Sequence, residues 1–239
     1  MSLDARGITF AYPGAAPLFE RFDLTVEPGE RVALSAPSGR GKTTLCRLLA
    51  GYLAPQVGKV LADGAPVPCG IARAPRPVQL VWQHPEQAFD PLVRMEASLA
   101  EAYPRTSHTN DGRGSRQGCL FDAAEETGLL ERFGIRPAWF DRFPSELSGG
   151  ELMRFSIVRA LLTRPRYLVC DEMTAMLDAV TQAELWRAVL DCAEERGLGI
   201  VFVSHSPALV RRLATRQVRL SHRVSESHRP MTSTVLATF

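Results

Sequence analysis

Residues 35–44 read SAPSGRGKTT and follow directly after the apolar segment RVAL at 31–34. Behind them, the leucines of 45–49 recur at helical spacing. A glycine-rich loop between a strand and a helix presents backbone N–H groups to phosphate, and the helix N-terminus adds a favourable dipole. The stretch therefore predicts a phosphate-binding loop within an α/β fold.

The loop follows the pattern G-x-x-x-x-G-K-[ST], except that Ala36 occupies the first glycine position. Gly39 and Gly41 allow close approach to phosphate, Lys42 can reach the outer phosphates of a nucleotide, and the Thr43 hydroxyl can bind Mg²⁺. Ala36 fits if its φ is negative, whereas a positive φ would cost roughly 1 kcal/mol. A plain Gly/Ser-rich turn ahead of an ordinary helix is the alternative. The residues predicted to contact nucleotide are Ala36, Pro37, Ser38, Gly39, Arg40, Gly41, Lys42, Thr43 and Thr44.

An acidic pair follows a second apolar strand, RYLVC at 166–170. Nucleotide hydrolysis needs a carboxylate on the metal and a group that orients water. Asp171 can hold Mg²⁺ through water, and Glu172 can act as general base. Taken alone, such a pair is also found as a helix N-cap.

Strand and helix patterns alternate along most of the chain, which predicts a mainly parallel sheet with both faces covered. The segment at 107–118 has no apolar residue and is expected to be a mobile loop. The polar tail at 221–239 is expected to be loose.

The composition is that of an ordinary globular chain of 239 residues with a formal net charge of +2. Five scattered cysteines without a CxxC pair indicate free thiols in a reducing compartment. We expect no leader peptide and no segment that spans a membrane unaided, hence a cytosolic protein. The arginines between 211 and 223 lack interleaved aromatics, so we expect a solvated helix face and no nucleic-acid partner.

Residues 147–151 read LSGGE, which resembles the LSGGQ signature of ATP-binding cassette (ABC) ATPases. The other motifs of that family occur in the family's order. Gln83 fits the Q-loop, the acidic pair fits Walker B, Asp178 fits the D-loop and His205 fits the switch histidine. Tyr12 fits the aromatic residue that stacks on adenine.

The resemblance implies the P-loop NTPase fold of ABC-ATPase type. It has a mainly parallel core, an N-terminal antiparallel β part and an inserted α-helical subdomain. The boundaries expected here are a single domain at 1–220, with the nucleotide-binding core at 1–83 and about 159–220 and the helical subdomain at about 84–158.

The resemblance also implies a head-to-tail pair of chains that sandwiches ATP and Mg²⁺. His205 would contact the γ-phosphate in cis, Gln83 would reach Mg²⁺ and the attacking water, and Asp178 would connect the two sites. Hydroxyl and N–H donors would reach the γ-phosphate of the other chain from the signature residues Ser148, Gly149 and Gly150.

Each of these residues has a plainer interpretation when it is taken alone. Gln83 could be a polar residue at a strand end, His205 a capping or surface histidine, Tyr12 a core or edge aromatic, and Asp178 an N-cap. Their joint order in the chain is what favours the family.

Three positions depart from the family pattern. Met173 stands where proline is usual, and Met176 precedes the Leu-Asp of the D-loop. Neither supplies chemistry, so we expect altered packing and retained activity. Glu151 replaces the signature glutamine and adds a charge near the phosphate-facing end, which would slightly disfavour the ATP-bound dimer and give an active but slow site.

The segment after Gln83, HPEQAFDPLVRMEASLAEAY at 84–103, resembles the peptide/nickel importer branch. That resemblance implies transmembrane permease subunits, a second ABC ATPase chain as homo- or heterodimer, and indirectly an extracytoplasmic substrate-binding protein. The chain would sit peripherally at the cytoplasmic face of the cell membrane. The alternative is an ABC-type ATPase of a soluble enzyme complex, as in phosphonate breakdown.

Other ABC classes fit less well. The spacing between Gln83 and Ser148 leaves no room for the long coiled coil of a DNA-repair ATPase. A translation-type protein would carry two cassettes in tandem. A non-hydrolytic binding module would lack Glu172 or His205.

Overall fold

The computed structural model describes residues 1–70, 76–102 and 128–220. The predicted loop at 107–118 and the predicted tail at 221–239 lie outside the described residues. The strands within these ranges are β1 (Leu3–Phe10), β2 (Phe19–Val26), β3 (Arg31–Ser35), β4 (Val57–Ala62), β5 (Ala65–Pro66), β6 (Val78–Val81), β7 (Tyr167–Asp171), β8 (Gly199–Val203) and β9 (Arg216–Arg219).

Two sheets form from these strands. The N-terminal sheet has the order β2-β1-β4-β5, and all its pairs are antiparallel. The second sheet has the order β6-β7-β8-β3-β9, and all its pairs are parallel. Every residue of β7 and of β8 is buried, as expected for parallel strands covered on both faces.

Helices cover the parallel sheet. The helices of the described ranges are α1 (Lys42–Leu49), α2 (Met95–Ala100), α3 (Leu129–Arg132), α4 (Gly149–Leu162), α5 (Ala179–Arg196) and α6 (Pro207–Leu213). Short 3₁₀ turns lie at Pro85–Ala88, Pro137–Trp139 and Pro144–Glu146. The predicted boundary between helical subdomain and core at about 158 falls inside α4, which continues without a break, and the subdomain division remains a prediction.

The parallel sheet separates two hydrophobic cores. Leu168 and Cys170 of β7 face the core formed with the helices from α2 to α5. Val169 faces the core formed with α1 and the antiparallel sheet. This alternation follows from the period of two along a strand. The phosphate loop is thus held between a strand and a helix that are both anchored in the second core.

The prediction of an α/β fold with a mainly parallel sheet and an N-terminal antiparallel part is confirmed. The cysteines at 46, 170 and 192 are buried free thiols, and Cys69 is an exposed one. None of the described helices combines the length and the apolarity needed to cross a membrane.

The expectation of a solvated helix face holds for Arg211 and Arg212, which are exposed on α6, but it is wrong for two other arginines. Arg216 and Arg219 do not lie on a helix face, because they belong to β9, which pairs with β3. Arg216 Nε lies 2.6 Å from Glu30 Oε1. A polar edge strand with alternating exposure carries the charges that edge strands commonly carry, and its composition resembles that of a solvated helix.

Candidate functional site

The phosphate loop turns into α1 through glycines with left-handed backbone. Gly39 has φ 75° and Gly41, the N-cap of α1, has φ 83°. A Cβ atom on Gly41 would lie 2.9 Å from Cζ of Phe19, which is closer than real Cβ contacts come. Glycine is therefore required at 41 for both conformation and space.

The alanine at the first glycine position is accommodated without strain. The non-glycine residues with positive φ in the described ranges are Arg21, Asp63, Arg164 and Glu172, and Ala36 is not among them. Its side chain packs, partly buried, against the core beneath α1. Alanine at this position needs no left-handed backbone.

Lys42 bridges the loop from inside. Its buried ammonium donates to the carbonyl of Ala36 at 2.9 Å and to that of Pro37 at 3.3 Å. These bonds hold both ends of the loop around one positive charge. A phosphate oxygen is an equivalent acceptor for the same N–H groups.

Asp171 ends β7 directly behind the loop and is almost fully buried. Burial raises the pKa of Asp171, while a hydrogen bond with Thr43 and the positive charges of Arg47 and Lys42 act in the opposite direction. Its Oδ1 is buried and has no hydrogen-bond partner among the described residues. A buried, unsatisfied carboxylate oxygen beside a threonine hydroxyl suits a hard divalent cation, so these residues fit Mg²⁺.

Glu172 meets two other predicted catalytic residues. Gln83 Nε2 donates to Glu172 Oε2 at 3.3 Å, and His205 Nε2 lies 2.8 Å from Glu172 Oε1. The three residues follow the carboxyl ends of the adjacent strands β6, β7 and β8, the edge at which α/β folds bind ligands. Glu172 itself has φ 49°, a strained conformation for a non-glycine residue and one that is concentrated at functional sites.

Tyr12 lies beside the first turn of α1. Its hydroxyl is 3.2 Å from Thr44 Oγ1, and its ring meets Phe10 edge-to-face with centroids 5.1 Å apart. Tyr12 as a whole is 39% exposed. The placement leaves a free aromatic surface next to the phosphate loop, and stacking on adenine remains a prediction.

The signature segment begins α4 with a capping box. Ser148 Oγ accepts from Glu151 N at 3.3 Å, and Glu151 Oε2 accepts from Ser148 N at 2.8 Å. The bond from the Ser148 N–H is the main cause of a lowered Glu151 pKa. Ser148 and Gly149 are exposed, so the donors predicted to act on a second chain face solvent.

Asp178 caps α5. Its Oδ1 accepts from Val180 N and Thr181 N, both at 3.0 Å, and the side-chain hydrogen bond of Thr181 lowers the Asp178 pKa. The N-cap interpretation thus describes this residue within one chain. Met173 is buried, whereas Met176 is 73% exposed.

A pocket of about 470 Å³ lies between Gln83 and the starts of α4 and α5, and all three line it. Its further lining includes His84, Ser148, Gly150, Met173, Met176 and Asp178.

The sequence did not predict a role for Arg47 and Trp82, which lie next to the predicted site residues. Arg47 Cζ lies 5.3 Å from the centroid of the Trp82 ring, immediately before Gln83. The two are far apart in sequence, and only the placement of Arg47 in the last turn of α1 could have hinted at a contact.

The family model described as "ABC transporter" matches residues 19–175. The "Probable peptide ABC transporter ATP-binding protein" of Sinorhizobium fredii is 32% identical over 202 residues, covering 82% of this chain and 55% of the relative. The chain thus spans little more than half of that relative. The nickel import system ATP-binding protein of Staphylococcus aureus is 30% identical over 225 residues, covering 91% of this chain and 86% of the relative.

Among solved structures, the dimeric structure of a bacterial ABC transporter cassette superposes with a TM-score of 0.73 at 23% identity. The superposition covers 91% of this chain and 93% of the other. At this identity the likeness shows the fold.

Proposed function

Because the chain belongs to the ABC transporter family of ATP-binding proteins, we propose that it is the ATP-hydrolysing subunit of a peptide/nickel-type importer. Members of this family bind ATP. The observation that carries hydrolysis is the contact of Glu172 with both Gln83 and His205, beside the buried Asp171 and the phosphate loop.

The phosphate loop binds the β- and γ-phosphates. Its backbone N–H groups and the Lys42 ammonium are the donors, and the ammonium exchanges the carbonyls of Ala36 and Pro37 for phosphate oxygens. Tyr12 stacks on the base. These contacts fix the γ-phosphate at the carboxyl edge of the parallel sheet.

Thr43, Asp171 and Gln83 are the residues that would hold Mg²⁺, with Asp171 acting through water. The bound ion neutralises the charge that develops on the phosphates. Oδ1 of Asp171, which lacks a partner within the described ranges, is the acceptor that this arrangement satisfies.

Glu172 acts as the general base toward the attacking water. Its carboxylate contacts both Gln83 and His205. When His205 turns to the γ-phosphate, Oε1 becomes free to accept the proton, and Gln83 remains in place to orient the water.

A second chain completes the site. Ser148, Gly149 and Gly150 of one chain face the γ-phosphate held by the other, and Asp178 lies at the contact between the two sites. The exposure of Ser148 and Gly149 and the open pocket beside them support this arrangement. The pair is a homodimer or a heterodimer with a related ATPase.

The load that hydrolysis drives is a permease. Relatives named for peptide and nickel import support transmembrane permease subunits as partners, with an extracytoplasmic substrate-binding protein upstream of them. The chain then works at the cytoplasmic face of the membrane, held there by those subunits.

The experiment is gentle solubilisation of native membranes, capture of the tagged chain, and identification of what co-purifies. A multi-span membrane protein together with an ABC ATPase is the expected result. If only soluble enzymes came down and none of the chain occurred in the membrane fraction, the transport proposal would be wrong, and an ATPase of a soluble complex would replace it.

A further inference from the structure

Arg47 is a charged residue that takes no part in the proposed hydrolysis step. It lies in the last turn of α1, the helix whose first residues are Lys42 and Thr43. Its Nε is buried and has no hydrogen-bond partner in the part of the chain that the structure describes. Burying a guanidinium nitrogen without a hydrogen bond lowers the stability of the fold, so another interaction of the side chain has to compensate.

The side chain does make one strong contact. Arg47 Cζ lies 5.3 Å from the centroid of the Trp82 ring, within the range of a cation–π interaction. Trp82 also meets Tyr52 edge-to-face, with centroids 4.9 Å apart and planes at 74°. The indole is therefore fixed between α1 and the segment that follows it.

Trp82 immediately precedes Gln83, whose amide reaches Glu172 at 3.3 Å. The placement of the indole restricts the backbone from which Gln83 extends. Arg47 thus links the helix of the phosphate loop to the Gln83 segment.

We propose that Arg47 is a positioning residue, which through its stack on Trp82 holds Gln83 at the distance that water activation by Glu172 requires. The proposal rests on the proposed ATPase function. It assigns to the stack a link between α1, which begins at the phosphate loop, and Gln83, which acts at the reaction centre.

Arg76, which stacks on Tyr52, supplies a matched control for Arg47. Arg76 Cζ lies 4.6 Å from the centroid of Tyr52, and Arg76 also donates to the carbonyls of Ala50 and Gly70. It is the same residue type in the same kind of contact, but it stacks on Tyr52 and not on the residue that precedes Gln83.

The first test is a double-mutant cycle on the purified full chain with R47M, W82L and the double variant. Each single change should lower kcat about threefold to tenfold with little change in KM for ATP, since the contact positions a group and does not bind substrate. The double variant should lose no more than either single one, because both remove the same contact. R47K should recover most of the rate, and R76M should keep the kcat of the unmodified chain.

The second readout does not depend on turnover. Addition of Mg²⁺ with a non-hydrolysable ATP analogue should change the emission of Trp82, measured as the difference from W82F, which retains Trp139 and Trp186. The change should persist in R47K and vanish in R47M. Circular dichroism and thermal unfolding identify any variant that has lost its fold.

The outcomes separate the two proposals. Additive losses in the cycle, or an R47M variant that keeps both kcat and the emission change, would overturn the role of Arg47 while ATP hydrolysis stands. A folded, unmodified chain without ATPase activity would instead remove the proposed function.

Discussion

The catalytic edge of the parallel sheet and the signature end of α4 differ in how far their polar groups are satisfied within the chain. At the catalytic edge, Asp171 keeps a buried oxygen without a partner in the described ranges, and Glu172 adopts a strained backbone. At the signature end, Ser148 and Glu151 satisfy each other in a capping box, and Asp178 satisfies the start of α5.

This contrast indicates which parts of the site a ligand would complete. Groups left unsatisfied in a folded interior are stabilised when metal and nucleotide arrive. Groups that are already satisfied and exposed gain little from a small ligand, and they are suited to a surface that a second chain covers. We therefore expect the catalytic edge to bind nucleotide and the signature end to contact a partner chain.

Glu172→Gln is the change with the largest expected effect on this comparison. The amide keeps the contacts with Gln83 and His205 but cannot take a proton, so kcat should fall by about 10²–10⁴-fold while nucleotide binding persists. The measurement is steady-state hydrolysis beside equilibrium binding of ATP. An unchanged rate would show that the base is assigned wrongly.

Gly41→Ala tests whether the catalytic edge depends on the loop conformation. The added Cβ meets Phe19 and adopts φ 83°, which should cost about 1–2 kcal/mol of stability and weaken ATP binding. Thermal unfolding and an ATP titration check it. Gly149→Ala, where a Cβ meets nothing within 4 Å, is the control at the signature end. Equal losses in both variants would erase the contrast between the two regions.

Glu151→Gln tests the signature end through pH. The folded state lowers the Glu151 pKa, so the carboxylate stabilises the fold above its unfolded pKa, and this contribution is lost as pH falls through the folded pKa. The variant should be less stable by about 0.5 kcal/mol at neutral pH, with the difference shrinking toward about pH 4. Urea unfolding across that range measures it, and a difference that grew on acidification would contradict the capping role.

Glu151→Gln should also slightly favour the ATP-bound dimer, because it removes a negative charge near the γ-phosphate. Sedimentation of the variant with ATP in the Glu172→Gln background measures this. A weaker dimer would mean that the charge supports the contact between chains.

Ala36→Gly should have the smallest effect. Since Ala36 has no left-handed backbone to relieve, glycine only adds freedom to the unfolded chain and should cost about 0.4–1 kcal/mol. ATP affinity should not change. A tighter KM for ATP in the variant would show that the alanine does restrain the loop.

Much of the fold was predictable because its sequence signals lie in short, contiguous stretches. The loop at 35–44, the buried runs of β7 and β8 and the capped starts of α4 and α5 each carry their own signal. The prediction of the ABC family is confirmed by the match at 19–175.

The features that were not predictable are contacts between residues far apart in sequence and backbone conformations of the folded chain. The charged strand β9 resembled a helix face because its partner β3 lies far away in the chain. The Arg47–Trp82 contact joins residues with no shared pattern. The strained φ of Glu172 is a property of the folded backbone, and nothing in an Asp-Glu pair predicts it.

The strand order has a consequence for how the molecule is made. β3, which carries the phosphate loop, pairs only with β8 and β9 among the described strands, and these are the last strands of the described chain. During synthesis the amino-terminal part emerges first, and parallel pairing over long separations is slow. The loop at 35–44 therefore becomes rigid only after β8 and β9 have been synthesised. A nascent chain interrupted before β9 would contain the phosphate-loop sequence but lack the pairing of β9 with β3 that holds the loop in place.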